Sequence, residues 1–159
     1  MIQALLRRLL PTAALLVLGA TMLSAEPAQA QYGRQYYSTW SYYPTYGYYY
    51  TRYYYQPTHT TTTYNYHYCN YYPSRPRYVY YYNPVRRVYW GRYDLEKEGY
   101  SLLEEKDRKE NLDDIPEAAF PEPGKMPNVP EATDTLAMDK PPAVPSTETP
   151  KDAPTNVPK

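Results

Sequence analysis

Tyr48-Tyr49-Tyr50-Thr51-Arg52-Tyr53-Tyr54-Tyr55 lies inside a stretch, Gln31 to Tyr93, whose composition decides how the whole chain reads. That stretch holds 23 of the 24 tyrosines and contains no Ala, Leu, Ile, Met, Phe, Lys, Asp or Glu. Its charged side chains are all arginines: Arg34, Arg52, Arg75, Arg77, Arg86, Arg87 and Arg92. Pro44, Pro57, Pro73, Pro76 and Pro84 interrupt it, each removing a backbone donor and biasing its predecessor toward extended geometry. Tyr and Thr favour pleated, half-buried surfaces, so the local preference is extended. Strands fit best in the Pro-free windows Thr45–Gln56 and Thr58–Tyr72. In the second window alternation puts Tyr64, Tyr66 and Tyr68 on one face and Asn65, His67, Cys69 and Tyr71 on the other. Aromatic-rich polar windows of this kind are disordered alone and prone to β-association.

The residues that usually build a core are scarce. After Ala30 the chain has 13 Leu, Ile, Val and Phe residues in 129 positions, about a tenth, well below the roughly one-fifth under which a packed core becomes doubtful. Tyrosine buries a large area, but each buried hydroxyl then needs a partner. The expected fold class is therefore a largely disordered, low-complexity mature chain. Order is expected at a short β-hairpin near 78–90, where Tyr78–Tyr82 and Val85–Trp90 flank Asn83-Pro84. One short α-helix near 102–112 is expected from Ser101-Leu102-Leu103-Glu104, which matches a capping box. Glu104 with Arg108 and Glu105 with Lys109 would support it as i,i+4 pairs, and Pro116 closes the region.

Met1–Ala30 reads as a signal helix. Arg7-Arg8 forms the charged region, Leu9–Leu23 the apolar one, and Ala28-Gln29-Ala30 the cleavage pattern, so cleavage is expected after Ala30. Fifteen apolar-region residues are too few for a stable membrane span. The expected compartment is secreted, periplasmic or cell-envelope. The domain reading is a signal peptide at 1–30, a Tyr/Arg block at 31–77, a small ordered segment at 78–115 and an acidic Pro-rich tail at 116–159. That tail has 11 prolines in 44 positions. Residues 94–159 carry eight Lys and Arg against sixteen Asp and Glu, so a basic half can attract an acidic one.

No nucleophile–base pair, phosphate loop or full metal set is present, so no catalytic residue and no cofactor is assigned. His67 and Cys69, with His59 at the same parity, are the weak metal-ligand candidates. Cys69 is the lone cysteine, expected as an unpaired exposed thiol. Arg with aromatics also describes single-stranded nucleic-acid binders, but export and the competing acidic half argue against that partner.

Tyr81-Tyr82-Asn83-Pro84, Tyr89-Trp90-Gly91-Arg92-Tyr93-Asp94 and Tyr100-Ser101-Leu102-Leu103 carry a resemblance, continued at Asp114-Ile115-Pro116-Glu117 and Phe120-Pro121. Over roughly residues 80–130 the chain resembles uncharacterised exported proteins of planctomycete-type bacteria with a Tyr-rich front and a Pro-rich tail. The resemblance implies a bacterial envelope setting, and a defined partner for Trp90–Phe120. It carries no role over to any position; the candidate interaction residues, at and beyond the C-terminal edge of the tyrosine block, are Trp90, Arg92, Tyr93, Leu102 and Leu103. The functional expectation is a structural or adhesive envelope protein that self-associates through Tyr/Arg contacts. The alternative is a binding module in which 78–115 folds on an envelope protein or polysaccharide.

Overall fold

The structure, a computed structural model, describes residues 33–146. The expected signal segment and its cleavage point, and the last part of the Pro-rich tail, lie outside the described residues. Strand β3 (Tyr48–Tyr55) is the first long strand. Two short strands, β1 (Gln35–Tyr37) and β2 (Ser41–Tyr43), pair antiparallel with opposite ends of it. Between them the Ser38 backbone N–H donates to the Arg52 carbonyl at 2.9 Å, and the Ser38 hydroxyl accepts from the Arg52 N–H at 3.0 Å. The pair therefore acts as one edge strand with an interruption. Strands β4 (Asn65–Tyr71), β5 (Tyr78–Asn83), β6 (Val88–Asp94) and β7 (Gly99–Leu102) then add in chain order. The result is a seven-stranded antiparallel half-barrel.

This overturns the expected fold class. The tyrosine runs are strands, not a low-complexity coil. Alternation along β3 points Tyr49, Thr51, Tyr53 and Tyr55 inward and Tyr48, Tyr50, Arg52 and Tyr54 outward. The inner face continues through His67, Cys69, Tyr71, Val79, Tyr81, Tyr93 and Tyr100, all buried. Residues 121–146 cover it, with Val129 and Met138 buried and Met126, Leu136 and Val144 packed alongside.

Aliphatic scarcity was the reason to expect disorder, and the hydroxyl pairing answers it. The Tyr37 hydroxyl donates to the Asp139 carbonyl at 2.8 Å, so the Tyr81 hydroxyl, 2.8 Å away, donates to Tyr37. Tyr53 donates to the Gln35 side-chain oxygen at 2.5 Å, which also accepts from the Asp139 N–H at 3.0 Å. Tyr53 and Tyr81 are wholly buried and each hydroxyl has a partner. These phenols thus bury area as apolar side chains do with their donors satisfied, whereas the buried Tyr100 hydroxyl has no partner among the described residues.

The outer face is covered only over β5–β7. There Leu103, Ile115 and Phe120 pack on Tyr80 and Tyr89. The α-helix expected at 102–112 is absent: Ser101 and Leu102 belong to β7, paired opposite Arg92 and Gly91. Single 3-10 turns at Glu105–Asp107, Leu112–Asp114 and Glu117–Ala119 follow instead. Sheet pairing claims the backbone that the capping box would have used, since the Leu103 N–H donates to the Trp90 carbonyl at 3.1 Å. Glu104 pairs with Lys106 and Glu105 with Arg86 rather than in helical i,i+4 order. Arg92 fixes this segment. It makes a two-pronged ion pair with Glu117 at 2.8 and 2.5 Å, with its guanidinium between the rings of Tyr78 at 3.8 Å and Phe120 at 4.0 Å.

Near 78–90 the β5–β6 hairpin is the middle of the sheet rather than an isolated element, and its loop has four residues. The same loop recurs three times, between Tyr43 and Tyr48, Asn83 and Val88, and Asp94 and Gly99. Asn83 Oδ1 accepts from the N–H groups of Val85 and Arg86 at 2.9 and 3.0 Å, and Asp94 Oδ1 does the same for Glu96 and Lys97. The last loop residue is left-handed each time: Gly47 (φ 65°), Arg87 (φ 57°) and Glu98 (φ 50°).

Gly91 has a different task. A Cβ there would lie 2.4 Å from the Ser101 carbonyl and 2.7 Å from the Tyr100 ring, which occupies the space above it. Gly91→Ala is expected to lower unfolding free energy by about 3 kcal/mol in urea titrations. Gly33→Ala, where nothing lies within 4 Å, should leave the midpoint unchanged.

Candidate functional site: an open tyrosine face

The outer face over β2–β4 is the part that neither covering segment reaches. Its side chains come from the outward positions of β3 and β4, and strand pleating sets their spacing. Arg52 stands opposite Tyr68 in the β3–β4 register, and Tyr54 opposite Tyr66. The Arg52 guanidinium sits 5.5 Å from the Tyr68 ring centre and 5.8 Å from that of Tyr66. Around it the phenols form a connected layer. Tyr36 stacks on Tyr54 at 4.8 Å, Tyr50 meets Tyr68 edge-on at 6.0 Å, and Tyr48 contacts Tyr72 at 5.1 Å. Toward β5 and β6 the layer ends at Tyr82 and Tyr89, whose rings are 5.1 Å apart.

The middle of this layer is concave. A groove of about 500 Å³ runs between the β2–β3 hairpin and the 3-10 segment, floored by Tyr50, Arg52, Tyr68 and Asn70. Tyr43 and Tyr48 form one wall, and Glu110 and Asn111 the other. The hairpin tip beyond carries the most exposed rings, Tyr42, Tyr43 and Tyr46. Arg52 carries a pKa raised by the phenol oxygens of Tyr68 and Tyr54 beside it, so it stays charged. The surface offers ring faces, phenol hydroxyls, one amide and one guanidinium. It can stack and donate hydrogen bonds.

The residues singled out from the sequence sit elsewhere. Trp90 is half-buried, 5.4 Å from His67, with the Arg108 guanidinium 3.8 Å over its ring. Arg92 and Tyr93 are buried, Leu103 is buried, and Leu102 alone of the five is exposed. They hold the sheet and its outer cover together rather than forming one surface. Alternation along Thr45–Gln56 placed Arg52 with Tyr50 and Tyr54, which was the available signal for the open face. The three weak metal ligands have separate surroundings. His59 is exposed beside Arg34 and Asp134. His67 Nε2 faces the Tyr55 hydroxyl at 3.3 Å. Cys69 is a free thiol, buried rather than exposed as expected, and burial pushes its pKa up. Among the described residues no group of three or more His, Cys, Asp or Glu side chains is placed to hold a metal ion. Nor is any helix among them long and apolar enough to cross a membrane.

Burial lowers the His67 pKa to about 3, with the Arg108 charge adding to the effect, and its Nδ1 is buried without a partner. The unfolded chain, with His near 6.5, takes up the proton first. The stabilisation is complete above about pH 6.5 and falls as pH drops toward 3, at up to about 1.4 kcal/mol per pH unit. Melting temperature should therefore decline between pH 6.5 and 4, and His67→Gln should flatten that decline. No known protein family, curated protein or solved structure matches this chain, which leaves the open tyrosine face as the feature from which its function must be read.

Proposed function

We propose that this is an exported, non-catalytic adhesive protein of the bacterial envelope or extracellular matrix. It holds neighbouring material and other copies of itself through the open tyrosine–arginine face. One observation carries the reading: a folded sheet leaves its outer face over β2–β4 uncovered, and that part is a layer of tyrosines around Arg52. Exposed aromatic patches on folded proteins mark contact surfaces, and tyrosine gives a wide, stiff contact with little rotamer entropy to lose. The leader-like segment at 1–30 supports export. Cohesion here is a property of a shaped face, not of a loose coil. Weak cation–π and stacking contacts, about 0.5–1 kcal/mol each at exposed sites, add up when many copies line one surface.

The mature full-length protein should co-sediment with isolated bacterial envelope material and self-associate at high concentration, with salt weakening both. The double variant Tyr50→Ser/Tyr68→Ser should retain the wild-type far-ultraviolet spectrum and lose envelope retention by about tenfold. The surface variant Thr62→Ser, off the layer, should change neither. Retention by the double variant equal to wild type would mean that the face is not the adhesive surface.

A further inference from the structure

We propose that the groove on the tyrosine face is a subsite for an acidic polysaccharide, a polyuronate, with Arg52 receiving a sugar carboxylate and Tyr50 and Tyr68 stacking on the rings beside it. This rests on the adhesive reading above and names its ligand. The argument starts from charge. Six of the seven arginines between residues 31 and 93 are matched with carboxylates. Arg34 pairs with Asp134, Arg75 with Asp113, Arg77 with Asp94, Arg86 with Glu105, Arg87 with Glu110 and Arg92 with Glu117. Arg52 alone of the seven has no carboxylate partner among the described residues. Its neighbours are the rings of Tyr66 and Tyr68 and the phenol oxygens of Tyr54 and Tyr68. The one carboxylate lining the groove, Glu110, is engaged by Arg87. The groove therefore presents one unneutralised guanidinium, whose planar fork matches a carboxylate in two-pronged fashion.

Shape narrows the class. Outward residues two apart on a strand are about 7 Å apart, so Tyr50, Arg52 and Tyr54 form a row that a linear polymer can follow. The phenol faces suit the apolar C–H faces of pyranose rings, and the hydroxyls and Asn70 suit the sugar hydroxyls. A nucleic-acid track would need a series of cations along the backbone, and the groove has one. A polyuronate has a carboxylate on every residue, so many protein copies can share one chain, and weak single sites become firm attachment.

The test uses the mature full-length protein and three defined polymers in isothermal titration: polygalacturonate, its fully methyl-esterified form and oligothymidylate. Esterification keeps the ring and removes the charge. The expected result is binding of polygalacturonate at least about tenfold tighter than of the ester, weakened by salt. Arg52→Gln should reduce polygalacturonate binding to the level of the ester and leave the ester unchanged, while Arg52→Lys restores part of the difference. Tyr50→Ser/Tyr68→Ser should weaken both polymers. Thermal melts of each variant within a few degrees of wild type show that the face, not the fold, was altered, and a variant that melts early is replaced by Arg52→Met. Equal binding of acid and ester, an unchanged ratio in Arg52→Gln, or tighter binding of oligothymidylate overturns the proposal. Failure to bind either polysaccharide while envelope co-sedimentation persists overturns this ligand and leaves the adhesive reading standing. Loss of co-sedimentation as well removes both.

Discussion

A sheet whose inner face is tyrosine is costly to bury unless its phenol hydroxyls find partners. Here the pairing of Tyr37, Tyr53 and Tyr81 is anchored by one segment, while the Tyr100 hydroxyl stays unpaired among the described residues. Residues 121–146 supply the Asp139 carbonyl to Tyr37, which relays the contact to Tyr81, and the Ala143 carbonyl to the Trp40 indole at 2.9 Å. They also supply the Ala137 carbonyl to the Gln35 amide at 2.9 Å, which holds Gln35 where Tyr53 can reach it. An extended, proline-rich cover suits this task, because its carbonyls are not consumed by its own secondary structure. An α-helix would have offered only the carbonyls of its last turn. Removing these partners would take acceptors from the Tyr37 hydroxyl, the Trp40 indole and the Gln35 amide, at about 1–3 kcal/mol for each donor left buried and unpaired. The Pro-rich segment is thus the other half of the core rather than an appendage, and it brings Val129, Leu136 and Val144 against the tyrosine face.

Part of the fold was legible in the residues. The extended preference of Thr45–Gln56, and the alternation that set Tyr66 and Tyr68 against His67 and Cys69, are both visible in β3 and β4. The attraction between a basic and an acidic half is realised within one molecule, as the Arg–carboxylate pairs show. What could not be read was whether the strands had anything to pack against, since the covering segment reveals only local proline preference and its docking depends on partners about a hundred residues away. The helix expectation failed for a related reason. Ser101 and Glu104 satisfy a local rule, but Tyr100 and Ser101 pair with Tyr93 and Arg92, and a sheet already present outweighs a cap worth about 1 kcal/mol. One readable signal was the recurrence of Asn83 and Asp94, eleven positions apart, each opening a four-residue loop. That repeat marks two successive hairpins.

The charge pattern explains why the candidate site could not be located from composition alone. Seven arginines in a tyrosine field look equivalent in sequence. In the fold six are neutralised, and the exposed pairs among them contribute little each. Arg92 is different: it is buried, and its two-pronged contact with Glu117 holds the outer cover on β6. The cover stops at Glu110 and Asn111, which become the groove's wall. Which arginine remains available is therefore decided by where the border of the 3-10 segment lies on the sheet, a tertiary fact.

The edges of the sheet show which mode of cohesion the fold permits. Strand addition needs a free edge of adequate length. On one side Gly124 exchanges both backbone hydrogen bonds with Tyr100 at 2.9 Å, and a Cβ on Gly99 would lie 2.9 Å from the Gly124 carbonyl, so that edge is blocked at Gly99 and Tyr100. On the other side the edge is broken at Ser38 into two strands of three residues, and Pro44 follows β2 directly. Both are devices that discourage edge-to-edge pairing. The cross-β association to which isolated tyrosine runs are prone is thereby blocked by the fold that orders them. The face receives no such protection: the rings of Tyr48, Tyr50, Tyr54 and Tyr68 stand partly exposed around the Arg52 guanidinium, which has no carboxylate partner among the described residues. A fold that protects its edges and leaves a face open presents side chains rather than backbone to its surroundings.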